Sequence, residues 1–175
     1  MVGASSHDLP PWLRRAFRAP NRVYDAGLGR LLGGRFLRLT HTGRRTGREL
    51  HTVLEVVERD RGTGAVTVVS GFGRRSDWFR NVTAGGPVAV DLGRGPRLAA
   101  YEVLPESEAE RVVLGYERRN RIATPVLRRA LSAMLGWRYE GTPDQRRRLV
   151  EQLPVVRFSP LGRPGPAQSS GPPAT

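Results

Sequence analysis

From Arg35 to about Leu104 the apolar residues tend to recur at every second position, in short segments punctuated by Gly, Pro and Asp, whereas on either side of this block they recur at helical spacing. That change of period is the tightest constraint on the fold. A half-buried strand needs such alternation because successive side chains point to opposite faces. Phe36 to Thr42 reads as the first strand. In the second, Leu50, Thr52, Leu54 and Val56 alternate with His51, Val53, Glu55 and Val57, which predicts two distinct faces. The turn Arg61-Gly62-Thr63-Gly64 leads into residues 65–70 (AVTVVS), AGGP leads into 88–92 (VAVDL), and GRGP at 93–96 leads into RLAAYEVL. Strands so closely spaced, with one excursion at 71–84, suit a small antiparallel barrel. A doubly wound parallel sheet would need a helix between successive strands.

The flanks are helical, which makes the chain α+β. Residues 9–32 hold Trp12, Leu13, Ala16 and Phe17 on one face and Arg14, Arg15 and Arg18 on the other, followed by Leu28, Leu31 and Leu32. One or two short helices interrupted near Pro20 are expected, packed on the domain or in peripheral contact with a membrane surface. After residue 105, Ser107 and Glu110 read as a capping box opening a helix that runs towards Asn120. Thr124-Pro125 starts a second helix, with Val126, Leu127, Ala130, Leu131, Met134 and Leu135 as its buried stripe and Gly136 as its stop. Thr142-Pro143 starts a third, exposing Arg146 to Arg148, and VVRF at 155–158 returns as a last strand. The expected organisation is a helical segment over 1–34, one domain over 35–160, and a disordered Pro/Gly/Ser-rich tail over 161–175.

Composition narrows the chemistry. The chain has 175 residues, one domain's worth, and no apolar run near the roughly 18 to 20 residues that cross a bilayer. Its opening MVGASSHDLPPWLRR puts prolines where a secretory signal needs an apolar stretch, so a cytoplasmic location is expected. There is no Cys, which removes disulfides, thiolate ligands and cysteine nucleophiles. Basic residues outnumber acidic ones 29 to 16, for a net charge of +13, and every basic residue is Arg. Without Lys there is no Schiff-base or Walker chemistry. The arginines scatter from Arg14 to Arg163 with no dense tract, which argues against specific nucleic-acid binding. His7, His41 and His51 have no metal-ligand spacing, and no GxSxG elbow or catalytic carboxylate pair stands out.

Two segments remain as candidate sites. THTGRRTGR, Thr40 to Arg48, joins two strands: its glycines allow a tight turn with exposed amides, and Arg44, Arg45 and Arg48 offer guanidinium forks, a cradle for phosphate or carboxylate. The alternative is a basic turn that only confers solubility. In SGFGRRSDWFRN, Ser70 to Asn81, Gly71 and Gly73 would admit a flat ligand lined by Phe72 and Trp78, with Arg74 and Arg75 adding charge. Trp78 as ordinary core is the alternative. An anion cradle beside a flat-ligand loop, without a catalytic constellation, suits an enzyme whose cofactor carries the reaction.

The order GGRFLRLTHTGRRTGRELHTVL, SGFGRRSDWFRNVTAGGPVAVDLG, AAYEVLP and ERRNRIATPVLRR resembles the deazaflavin-dependent nitroreductase family, split β-barrel oxidoreductases that use coenzyme F-420. The resemblance spans about residues 30 to 160. It implies a split barrel of the FMN-binding type with about six mostly antiparallel strands, and hydride transfer from the reduced coenzyme to a quinone, enone or nitroaromatic. It places Thr42, Gly43, Arg44, Arg45, Thr46, Gly47 and Arg48 on the cofactor's phosphate and acidic tail, and His51, Thr52 and Val53 along the ring. Ser70, Gly71, Phe72, Gly73, Arg74 and Arg75 would close on the cofactor, and Trp78 and Asn81 match the family's W-x-x-N. A lysine common in that loop is absent, with Arg74 or Arg75 in its place. Tyr116 and His51 are the candidate proton donors. FMN in place of the deazaflavin, or a non-catalytic carrier of cofactor, haem or lipid, are the rival readings. The partner expected is a small-molecule acceptor and, beyond the membrane contact open to the N-terminal helix, the chain is expected to be a monomer or a homodimer.

Overall fold

The computed structural model describes residues 34–121 and 124–162. The helices expected within 9–32, and all but the first two residues of the tail, lie outside them. Six strands form: β1 (Phe36–Thr42), β2 (Glu49–Arg59), β3 (Val66–Val69), β4 (Val88–Asp91), β5 (Arg97–Val103) and β6 (Val155–Pro160). They pair antiparallel throughout and close in the order β1-β2-β3-β6-β5-β4. Among the described residues four α-helices and one 3-10 turn (Gly73–Arg75) accompany them: α1 (Asp77–Thr83) after β3, and α2 (Glu106–Arg119), α3 (Thr124–Leu135) and α4 (Pro143–Gln152) between β5 and β6.

The barrel is split because two strands each serve two sheets. β2 pairs with β1 as far as Glu55 and with β3 from Val56 onward, with a register shift between Val56 and Glu58 where the strand changes partner. β5 pairs with β4 through Leu98 and with β6 from Ala99. Leu37, Leu39, Val66, Val68, Val156 and Phe158 fill the interior, while Leu104, Val112, Tyr139, Leu149 and Val155 form a second core under the helices. Neighbouring residues on three strands therefore face different interiors. Val56, Val68 and Val156 point into the barrel, and Val57, Val69 and Val155 pack on the helical core. Both faces are covered there, which explains why those strands read as near-continuous valine runs.

Four local expectations are corrected. The excursion at 71–84 contains a helix, α1, whose Trp78, Phe79 and Val82 plug the barrel, with Trp78 edge-on to Phe79 at 5.9 Å and 6.5 Å from Phe158. Helix α2 is preceded by Pro105 with no side-chain cap, so Ser107 lies inside the first turn and Glu110 reaches Arg147 instead. Helix α3 starts and stops where expected, but it is an outer layer with no fully buried residue and Val126 is exposed. Arg146 is turned inward to Glu117 at 3.3 Å rather than exposed. The start of α4 is as read: the Thr142 hydroxyl accepts from the Gln145 amide at 3.3 Å.

Candidate functional site

The loop from Gly43 to Arg48 closes on itself. Gly43 donates to the Arg48 carbonyl (2.8 Å), Thr46 and Gly47 donate to the Gly43 carbonyl (3.2 and 2.8 Å), and the Arg48 amide reaches the Thr46 hydroxyl (3.4 Å). Gly47 sits at φ +66°, a conformation that favours glycine. Most of the amides expected to face an anion are therefore spent inside the turn, so an anion cradle here would have to be made by side chains.

Arg44 belongs to a different structure. Its backbone amide and its guanidinium both donate to Asn81 Oδ1, at 3.2 and 2.8 Å, and both guanidinium nitrogens reach Asp77 Oδ1 at 3.1 Å. Asn81 Nδ2 in turn lies 3.3 Å from His41 Nδ1, and His41 Nε2 lies 3.3 Å from the Thr52 hydroxyl. The chain Thr52–His41–Asn81–Arg44–Asp77 thus ties β2, β1, the loop and α1 into one polar strap, and it brings the two sequence motifs together. His41 and Asp77 are members that reading the sequence for chemistry missed. The available signal was positional: Leu37, Leu39 and His41 occupy successive inward positions of β1, and a polar group at a core position needs partners. Burial, then the neighbouring His51, depress the His41 imidazole below its ordinary range, against a smaller opposing hydrogen bond to the Thr42 backbone.

Much of the second motif is committed to the protein. The buried Ser70 hydroxyl donates to the Gly73 carbonyl and accepts from the Ser76 hydroxyl, both at 2.8 Å. A β-carbon on Gly71 would meet the Met134 methyl at 2.5 Å. One on Gly73, at φ +63°, would meet the Gln152 carbonyl at 2.7 Å. The close approach these glycines permit is to α3 and α4 rather than to a flat ligand, and Trp78 is core. Phe72 is half-buried, while Arg74 and Arg75 are exposed on the turn just before Asp77. Arg45 and Arg48 in the loop, and Arg74 and Arg75 on the turn before α1, belong to the two segments that the Arg44–Asp77 contact joins, and all four are exposed and without an ion pair among the described residues.

His51 and Thr52 lie on the part of β2 that has β1 as its strand neighbour and that β3 does not reach. His51 faces outward, with Nδ1 3.1 Å from the Thr40 hydroxyl and Nε2 3.4 Å from Glu49, and lines an open depression of about 500 Å³ with Arg38, Ala89 and Leu98. Thr52 faces inward to His41, so the two side chains point to opposite sides. Val53 is half-buried beside them. Tyr116 lies elsewhere. Its hydroxyl donates to Glu55 at 2.6 Å, four residues along the strand from His51, or roughly 13 Å. Burial and then the Glu55 hydrogen bond hold this phenol well above its ordinary range. A larger groove of about 900 Å³ opens at the far end of β2, around Arg59 and Arg61, away from both motifs. Among the described residues no three His, Asp or Glu side chains gather to hold a metal, and no helix is long and apolar enough to cross a membrane.

The F420H(2)-dependent quinone reductase family matches residues 12–121 of the chain. No curated protein matches. Among solved structures, an F420-H2 dependent reductase is 19% identical, with 71% of this chain and 94% of that one covered at a TM-score of 0.48. A structure described as a domain-swapped dimer is 19% identical, with 85% and 97% covered at 0.50. A pyridoxamine 5′-phosphate oxidase-related, FMN-binding protein from Nostoc punctiforme is 16% identical, with 87% and 81% covered at 0.38.

Proposed function

Because the chain belongs to the F420H(2)-dependent quinone reductase family, we propose that the barrel end built from the 43–48 loop and α1 holds the acidic tail of the deazaflavin coenzyme. The enzyme is an oxidoreductase, and the acceptor we assign to it is a small quinone-type molecule, with enones and nitroaromatics as further electron-poor candidates. The observation that carries the assignment is the set of uncommitted guanidinium groups at Arg45, Arg48, Arg74 and Arg75. They lie on the two segments that Arg44 joins through Asp77 and Asn81. Forked donors of this kind suit phosphate and carboxylate oxygens. The reduced coenzyme supplies the hydride when bound.

What the chain supplies is position. The backbone of His51 and Thr52 offers the strand segment on which a flat ring can rest, with Val53 and Phe72 as apolar neighbours. Ser70, Gly71, Gly73 and Trp78 act through the shape of the loop, and Thr42, Gly43, Thr46 and Gly47 through the turn. His51, exposed in the outer depression, is the better placed of the two proton-donor candidates, because the Tyr116 proton is engaged by Glu55. Tyr116→Phe is therefore expected to leave single-turnover oxidation of the reduced coenzyme within about threefold of wild type. Its cost is a hydrogen bond worth about 1 kcal/mol in denaturant melts. A loss of roughly a hundredfold or more would make Tyr116 an obligate acid. The cytoplasmic location and a monomeric or dimeric state go with this reading.

The test is a fluorescence titration of the purified protein with coenzyme F-420 and, separately, FMN, followed by turnover with menadione. Saturable binding of the deazaflavin with oxidation of its reduced form is the expected outcome. Preference for FMN, or binding without turnover, would instead favour the FMN enzyme or the carrier.

A further inference from the structure

We propose that His41 is a positioning residue whose neutral form fixes the orientation of Asn81 and thereby the anchoring of Arg44 and its loop, so that protonating His41 releases the anion-binding loop. The inference rests on the cofactor assignment above only where it concerns coenzyme affinity. Its geometric part stands on the strap alone.

The hydrogen-bond roles follow from elimination. Asn81 has one amide atom facing both the Arg44 backbone N–H and the Arg44 guanidinium, and both of those groups can only donate. That atom is the carbonyl oxygen. The other amide atom is then the NH₂, which faces His41 Nδ1 and requires a lone pair there. The proton of neutral His41 therefore sits on Nε2 and is donated to the Thr52 hydroxyl.

Protonation breaks this arrangement whichever way Asn81 turns. An imidazolium presents N–H at Nδ1 against the Asn81 NH₂, donor against donor. If the amide flips to offer its oxygen to His41, its NH₂ then confronts the two Arg44 donors. Asn81 is buried and cannot exchange these bonds for water in place, so one end of the strap must open. The charges that face His41 come from several elements. They are His51 on β2 with Glu49 beside it, Arg44 in the loop, and Asp77 on α1, while β4 presents only Val88 opposite it. His51 opposes a positive charge on His41. Asp77 is exposed and already held by Arg44. Burial points the same way, favouring the neutral ring.

The experiment has two arms. In the cofactor-free protein, ¹⁵N NMR of the His41 ring at neutral pH should show a proton on Nε2 and none on Nδ1. The Arg44 backbone amide signal should move with the His41 titration midpoint. In the second arm, coenzyme F-420 affinity measured by fluorescence, as the pH is lowered from about 7.5 through the His41 midpoint found in the first arm, should fall at least fivefold in wild type. His41→Asn keeps an acceptor near the Nδ1 position and cannot titrate. Its affinity should be flat within about twofold over that range, also when combined with His51→Gln. A proton on Nδ1, an Arg44 amide indifferent to the titration, or an unchanged pH dependence in His41→Asn would each overturn the proposal. A wild type that binds no coenzyme at any pH would instead sink the cofactor assignment, and the first arm would still decide the lock.

Discussion

Glu117→Ala should lower stability by about 3–5 kcal/mol, the range for breaking a buried ion pair, and the melting temperature by roughly 10 °C. Glu117 is 7% exposed and its partner Arg146 12% exposed, joined across α2 and α4 at 3.3 Å. Arg146 also donates to the Gly141 carbonyl. A β-carbon at Gly141 would meet an Arg128 nitrogen at 2.7 Å and the Glu117 carboxylate at 3.0 Å, so Arg128, on α3, converges on the same point. The Tyr139 phenol, buried beside the pair, is kept protonated far above its usual range by burial first and by the Glu117 charge second. Removing the carboxylate leaves the largely buried Arg146 without its ion-pair partner among the described residues. Replacing Glu117 and Arg146 together by Leu should recover most of the loss, since an apolar pair of similar volume avoids desolvating any charge. Urea melts of the single and paired variants check this, and a single-variant cost under about 1 kcal/mol would show that the cluster is solvated.

The second large effect concerns binding. Arg45→Ala combined with Arg48→Ala should weaken coenzyme F-420 by about a hundredfold or more, near 2.7 kcal/mol for two charge-assisted contacts, with little change in thermal stability. Neither side chain has an ion pair within the described protein, so folding should not register their loss. Arg44→Ala is the contrasting case. It removes the contacts to Asp77 and Asn81 and should lower both the melting temperature and the affinity. An affinity unchanged in the Arg45/Arg48 double variant would mean that the tail binds elsewhere.

The barrel was legible because its strands are short and separated by Gly-rich turns. β1 matched its expected ends at Phe36 and Thr42, and β2 to β6 departed by a residue or two. Helix α1 was missed because SDWFRN follows Gly71 and Gly73, which read as loop, and because its seven residues are too few to display a helical period. The pairing of the two motifs was legible only as proximity in a family pattern. That Arg44 is anchored while Arg45 is free depends on Asn81, 37 residues away, and no local rule separates two adjacent arginines. The inward turn of Arg146 was hidden for the same reason: in DQRRRLVEQ it is one of three arginines, and only Glu117 on another helix selects it.

The place of β6 in the barrel has a consequence for biosynthesis. Val155–Pro160 is inserted between β3 and β5, and Val66 meets Phe158 across about 90 residues of intervening chain. Until that segment leaves the ribosome the ring cannot close. β3 and β5 meanwhile present bare hydrogen-bonding edges, one of them the valine-rich VTVV. Such non-local closure is slow, and an incomplete chain is at its stickiest just before completion. β5, with the charged Glu102 within the stretch that waits for β6, is the better guarded of the two edges. Nascent chains that stall before residue 155 should therefore associate through β3.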